Sequence, residues 1–291
     1  MRRLIAGPCA LLAAFFVSFA AHAQSARPVE VQYGFWPPSF ALEQQRVFDK
    51  QLEAVRPQIA GKRDVYILAA GLYGGHVFEN EAAQGALALQ AHFNTDASRT
   101  IVLSNDHKPG ATLYAASTPA HIQTALGRLA EQMDKEEDVA VIFLTSHGSQ
   151  NAGIAGHEPN LAGEGALADY MITPGALRGA LDASGIKNRI IILSSCFAGQ
   201  FIPTLQDPRT VVLAAASPDR TSFGCQAERD WTYFGDAFFA QALPQSKSIV
   251  KAFEDAKGVI GGWETQGNLT PSQPQSFVGP QAAKFLAEIE K

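Results

Sequence analysis

Cysteine is scarce in this chain, at three of 291 residues: Cys9, Cys196 and Cys225. If the first is lost with an N-terminal leader, at most one disulfide remains open, Cys196 with Cys225. Nucleotide-binding signatures are missing too. The glycine-rich run Leu72-Tyr73-Gly74-Gly75-His76 lacks both the spaced glycines of a dinucleotide site and the Gly-Lys-Ser/Thr of a P-loop. Excess positive charge is absent. The formal net charge is -5, which gives no electrostatic case for a nucleic-acid partner. No apolar segment after residue 21 is long enough to cross a bilayer. Internal repeats and low-complexity linkers are absent as well, and ordinary hydrophobic and charged fractions fit a soluble globular domain.

What is present begins with Arg2 and Arg3, an apolar stretch from Leu4 to Ala21, and Ala21-His22-Ala23. A basic start, a hydrophobic centre and an A-x-A site make a secretory signal peptide over residues 1–23. The mature chain then starts at Gln24, and export places it in the periplasm. A retained anchor is the alternative. A lipoprotein site at Cys9 is excluded, because Pro8 precedes it.

Residues 24–62 read as an N-terminal extension with one helical stretch carrying Leu42, Val47, Leu52 and Val55. Residues 63–291 alternate buried strands with amphipathic helices. The strands are Asp64–Gly71, Thr100–Ser104, Val139–Thr145, Arg189–Leu193 and Thr210–Ser217, with an edge strand around Ser276–Val278. Pro119 and Pro174 open helices behind Thr118 and Thr173, and Gly185 stops the second. The segment Ser149–Tyr170, rich in Gly and Ala, reads as a mobile loop. Alternating elements of this kind make an α/β fold, with a mostly parallel sheet covered on both faces by right-handed crossovers.

Two strands end in chemistry. Val139–Thr145 runs into Ser146-His147-Gly148, and the next strand runs into Ser194-Ser195-Cys196 before Gly199 turns the chain. Ligands and reactions of open α/β sheets sit beyond the carboxyl ends of strands. A thiol and an imidazole at neighbouring strand ends are the parts of a nucleophile and its base. Catalysis is therefore assigned to Cys196 and His147, about fifty residues apart. The amides of Gly148 and Cys196 are assigned to an oxyanion hole. His76, His92, His107, His121 and His157 are read as surface or structural. His147, His157 and Glu158 match no compact metal pattern, so no metal and no organic cofactor is expected.

Three blocks carry a resemblance: Ser146-His147-Gly148-Ser149, Ser195-Cys196-Phe197-Ala198-Gly199, and Ala214 to Cys225 followed by Thr232-Tyr233-Phe234-Gly235-Asp236. Over about Asp64 to Leu243 the chain resembles the legumain family of caspase-like cysteine peptidases. The resemblance implies a caspase-like three-layer sandwich, endopeptidase activity through an acyl-enzyme, and a peptide or protein substrate. It implies substrate-binding positions at Ser194, Ser195, Ser217, Ser222 and Asp236. The sequence departs from the pattern at Ser146, where the family has Asp, and at Ser194, where it has Glu. The family's Asn and Arg after the first strand have no counterpart near His76 and Phe78. A transpeptidase using the same dyad, and a catalytically silent binding module in the cell envelope, are the alternatives. A reversible Cys196–Cys225 bridge would switch the thiol off; otherwise Cys225 is a wall of the pocket.

Overall fold

The computed structural model describes residues 36–106, 112–157, 169–226 and 228–290. The expected signal segment, His107, Glu158 and the middle of the Ser149–Tyr170 segment lie outside them. In chain order the strands are β1 (Val65–Gly71), β2 (Thr100–Ser104), β3 (Val139–Thr145), β4 (Gly148–Ser149), β5 (Gly153–His157), β6 (Asp169–Ile172), β7 (Asn188–Ser194), β8 (Thr210–Ala214) and β9 (Gln275–Val278). The helices are α1 (Pro38–Ala54), α2 (His76–Phe93), α3 (Pro119–Gln132), α4 (Pro174–Ser184), α5 (Ile202–Leu205), α6 (Tyr233–Gly235), α7 (Ile249–Gln266) and α8 (Ala282–Ile289).

The central sheet has the order β2-β1-β3-β7-β8-β9, parallel except for β9. Every residue of β1, β3, β7 and β8 is buried, as expected of strands covered on both faces. Side-chain alternation divides the interior into two layers. Tyr66, Leu68, Ile142, Ile191 and Leu193 meet Phe48 of α1, Leu126 of α3 and Leu181 of α4. Ile67, Phe143, Ile190 and Ile192 meet Leu89 of α2, Phe253 of α7 and Phe285 of α8. Truncating a ring such as Phe143, fully buried here, would cost about 3–5 kcal/mol.

Helix starts follow their capping residues. The hydroxyls of Thr118, Thr173 and Ser248 accept the amides of His121, Ala176 and Lys251 at the starts of α3, α4 and α7. Gly185 ends α4 at φ 77°. Helix α1 covers the sheet edge. Gln51 donates to the Val102 carbonyl of β2 and accepts from Ala115, and Gln44 accepts from Ala116. This occupies polar backbone that an edge would otherwise leave open.

Three expectations are corrected. Leu42 does not face the core: it is 51% exposed, and the buried stripe of α1 is Phe40, Gln44 and Phe48. The sequence from about Tyr233 to Leu243 reads as one helix, but it is one α-helical turn followed by a π-helical stretch, Asp236–Ala242. The segment from Ser149 to Tyr170 is not a loop at its two ends, because β4, β5 and β6 form a small antiparallel sheet. Two of its described glycines serve close packing. Gly153 takes φ 124° against the Ile172 backbone, and a side chain on Gly156 would collide with the Tyr170 ring.

Candidate active site

The register between β3 and β7 places the two central residues. Thr145 pairs with Ser194 across the parallel ladder, so His147 and Cys196 each stand two residues past matched positions. The Ser146 amide donates to the Ser194 carbonyl and carries the pairing one residue further. Gly148 then lies against Cys196 so closely that any side chain there would strike the Cys196 carbonyl oxygen. Phe197, next after the thiol, adopts a left-handed conformation (φ 58°) and gives its amide to the Arg220 carbonyl. The chain thus turns sharply at the strand end and leaves Cys196 at the rim.

His147 is half-buried, with Tyr73 and Phe78 set edge-on to its ring at centroid distances of 4.8 and 5.0 Å. Those two side chains come from the turn after β1 and the first turn of α2. Gly71 brings that turn close: a side chain there would lie 2.6 Å from the Phe78 carbonyl oxygen. Burial lowers the His147 pKa below 6.5, so the imidazole is neutral at neutral pH. Burial pushes the Cys196 thiol up. Backbone amides of Ser222, Gly148 and Cys196 itself act in the opposite direction, and the neighbouring Cys225 adds to the rise. The Ser222 amide donates to the sulfur at 3.3 Å. The pair therefore rests as a neutral thiol and a neutral imidazole.

Around them Ser146, Ser194, Ser195, Ser222, Phe223, Cys225 and Thr232 enclose a cavity of about 10 Å³, room for roughly one water molecule. Ser195 keeps a buried hydroxyl with no hydrogen-bond partner. Both Cys196 and Cys225 are free thiols on this cleft. Of the residues expected to bind substrate, Ser194, Ser195 and Ser222 are brought together here. Ser217 and Asp236 are not. The Ser217 hydroxyl donates to Asp219 and its amide to the Ser272 carbonyl, while the Asp236 carboxylate accepts from Gln241.

The pattern of the peptidase C13 family matches residues 122–282. The chain belongs to the peptidase C13 family, the legumain-type cysteine peptidases. Among solved structures it is similar to a caspase-1 from Spodoptera frugiperda, with a TM-score of 0.51 and 10% identity over 75% of this chain and 87% of that one. That likeness bears on the fold, a caspase-like sandwich with a mostly parallel sheet. None of the curated proteins matches the chain.

In this C13 peptidase the sequence reading missed Glu81, the acid beneath the cleft. It sits on the buried stripe of α2 with Val77, Phe78, Ala82, Gly85 and Leu89. Its carboxyl accepts from the hydroxyls of Thr145 (2.5 Å), Ser194 (3.0 Å) and Thr232 (2.8 Å). Ser194, where the family pattern has Glu, thus points its hydroxyl at a carboxyl delivered from α2. Burial raises the Glu81 pKa from 4.5 to about 7, against the opposing effect of those hydrogen bonds. The signal was available: one acid interrupting an otherwise apolar helical stripe.

His157, read as structural, bonds Asp169 at 2.6 Å and lies 5.3 Å from the Tyr73 ring. His76 pairs with Asp230 on the surface, and His121 stacks on Phe48. Among the described residues no three His, Cys, Asp or Glu side chains gather as metal ligands, and no helix is long and apolar enough to cross a membrane.

Proposed function

We propose that this peptidase is an exported endopeptidase that cleaves peptide bonds through Cys196, His147 and a covalent acyl-enzyme. The observation that carries the reading is the matched register of β3 and β7, which sets an imidazole and a thiol two residues beyond paired positions. His147, neutral at neutral pH, takes the thiol proton as the sulfur attacks the substrate carbonyl. The carbonyl oxygen becomes an oxyanion held by the amides of Gly148 and Cys196. The imidazolium then passes its proton to the leaving amine, and a thioester remains. His147 removes a proton from the incoming water, the thioester breaks, and the carboxylic acid product leaves with the thiol restored.

Ser194, Ser195 and Ser222 face the substrate side chain from a cleft that must widen beyond the volume of one water. A pocket of hydroxyls with one free Ser195 donor suits an uncharged polar group. The test is alkylation of Cys196 by an iodoacetamide probe across pH, in the parent chain and in His147→Ala, with Cys196→Ala as the blank. Labelling that persists below the ordinary thiol pKa of about 8.5, and falls without His147, supports the dyad. A silent Cys196, or one that reacts only after reductant, overturns it in favour of a binding module or a disulfide.

A further inference from the structure

The buried carboxyl of Glu81 touches neither the thiol nor the imidazole, yet it holds the residues that set both. Thr145 and Ser194 are the last residues of β3 and β7, register partners lying two positions before His147 and Cys196. Both hydroxyls end on Glu81, and Thr232, on the cleft wall, ends there too. Gly235 completes the arrangement. Its amide donates to the Thr232 hydroxyl that in turn bonds Glu81, and a side chain at Gly235 would run into Glu81, lying 2.7 Å from its Cδ.

We infer that Glu81 is a positioning residue for the peptidase reaction: its carboxylate ties the ends of β3 and β7 to the cleft wall and so fixes His147 and Cys196 relative to each other. The inference rests on the assignment of those two residues given above. Three hydroxyl donors converging on one carboxyl match its ionised, acceptor-only form. Protonation adds a hydrogen that needs an acceptor of its own, so one of the three hydroxyl contacts must be reversed or given up. The tie is therefore strongest when Glu81 is charged.

No charged neighbour contributes to the position of its titration, which burial sets near neutrality, at about 7. The titratable groups on the surrounding elements have other partners or other roles. Glu79 on α2 accepts from Ser104, Asp230 pairs with His76, and Asp236 accepts from Gln241. Tyr233 packs its ring on Trp263, and His147 and Cys196 are the reacting pair itself.

The experiment is the pH dependence, from 5 to 9, of Cys196 alkylation by iodoacetamide, read at that residue by peptide mass spectrometry on the full chain. The parent is expected to show a step near pH 7, above a His147 step below 6.5, while the thiol's own step is pushed up by burial beyond the range scanned. Glu81→Gln, its fold checked by circular dichroism, is expected to lose that step and to label about tenfold more slowly at pH 8. A folded Glu81→Gln with the parent's profile overturns the inference while the dyad stands. A parent chain whose Cys196 is silent at every pH overturns the dyad itself, and the inference with it. Should Glu81→Gln not fold, Ser194→Ala decides. Removal of one donor is expected to move the step to higher pH, and an unmoved step overturns the inference.

Discussion

Gly148 and Cys196 are packed backbone to backbone, so that a side chain on the first would occupy the place of the second's carbonyl oxygen. From sequence, the glycine at 148 is explained by room for a substrate carbonyl. The structure gives a nearer reason, since the glycine lets the strand ends carrying His147 and Cys196 come together at all. Gly148→Ala must push these ends apart, and displacement by about 1 Å costs on the order of 100-fold in rate. Turnover of a peptide library by Gly148→Ala should fall at least that far while its melting curve stays cooperative. Turnover within twofold of the parent would show that the close approach has no part in the reaction.

In the proposed dyad the lower acid-side step of activity belongs to His147, below the one assigned to Glu81. Its pKa is held below 6.5 by burial between Tyr73 and Phe78, so the base form persists to lower pH than for an exposed histidine. The pH profile of kcat/KM should therefore include a rise with a midpoint below 6.5, separate from the Glu81 step. Tyr73→Ala opens one side of the ring to water and should move that midpoint upward. A midpoint that stays in place in Tyr73→Ala would show that the pocket does not tune the base.

Glu81 also makes a prediction for stability. Its proton is held to about pH 7 in the folded chain, against 4.5 as the ordinary value. Between those values the folded chain retains a proton that the unfolded chain has released, so stability falls as pH rises through the window and is flat above it. The size is roughly 3 kcal/mol. Urea unfolding at pH 5 and pH 7.5 should show this loss in the parent and a smaller one in Glu81→Gln. Equal losses in both proteins would place the raised pKa elsewhere.

Cys225 shares the cleft and adds to the upward push on the Cys196 thiol. Cys225→Ser removes an ionisable neighbour, so the alkaline step of Cys196 labelling should move to lower pH. Thiol titration of unfolded parent protein, purified without reductant, should find both cysteines reactive, in keeping with their free state. Loss of both thiols together, restored by dithiothreitol, would mean that they pair.

The parallel strands were legible because burial on both faces leaves nothing but apolar residues, as in Val139–Leu144 and Ile190–Leu193. Once two such strands end in His-Gly and Cys, their neighbourhood follows from the topology of crossovers. The small sheet β4-β5-β6 escaped because its glycines, which allow the Ile172 backbone and the Tyr170 ring to approach, look like loop composition. Ser217 and Asp236 were placed by the order of motifs along the chain, which does not report where a side chain turns; they turn to Asp219 and Gln241. Glu81 was visible as an acid on an apolar stripe, but what it binds was not. Its three hydroxyl partners are 64, 113 and 151 residues away, and no local pattern encodes a meeting of four distant segments.

Those separations bear on how the chain acquires its activity. Local contacts form early in folding, and pairings this remote close late, because each must overcome the entropy of a long loop. A chain that has formed α2 and β3 possesses the imidazole and the carboxyl. The thiol, the Ser194 anchor and the Thr232 wall join only when β7 and the 231–235 segment dock. Up to that moment the nascent protein carries every reactive group and no working centre. Assembly of the site is then the last event of folding, and its appearance during refolding reports the docking of β7 and residues 231–235.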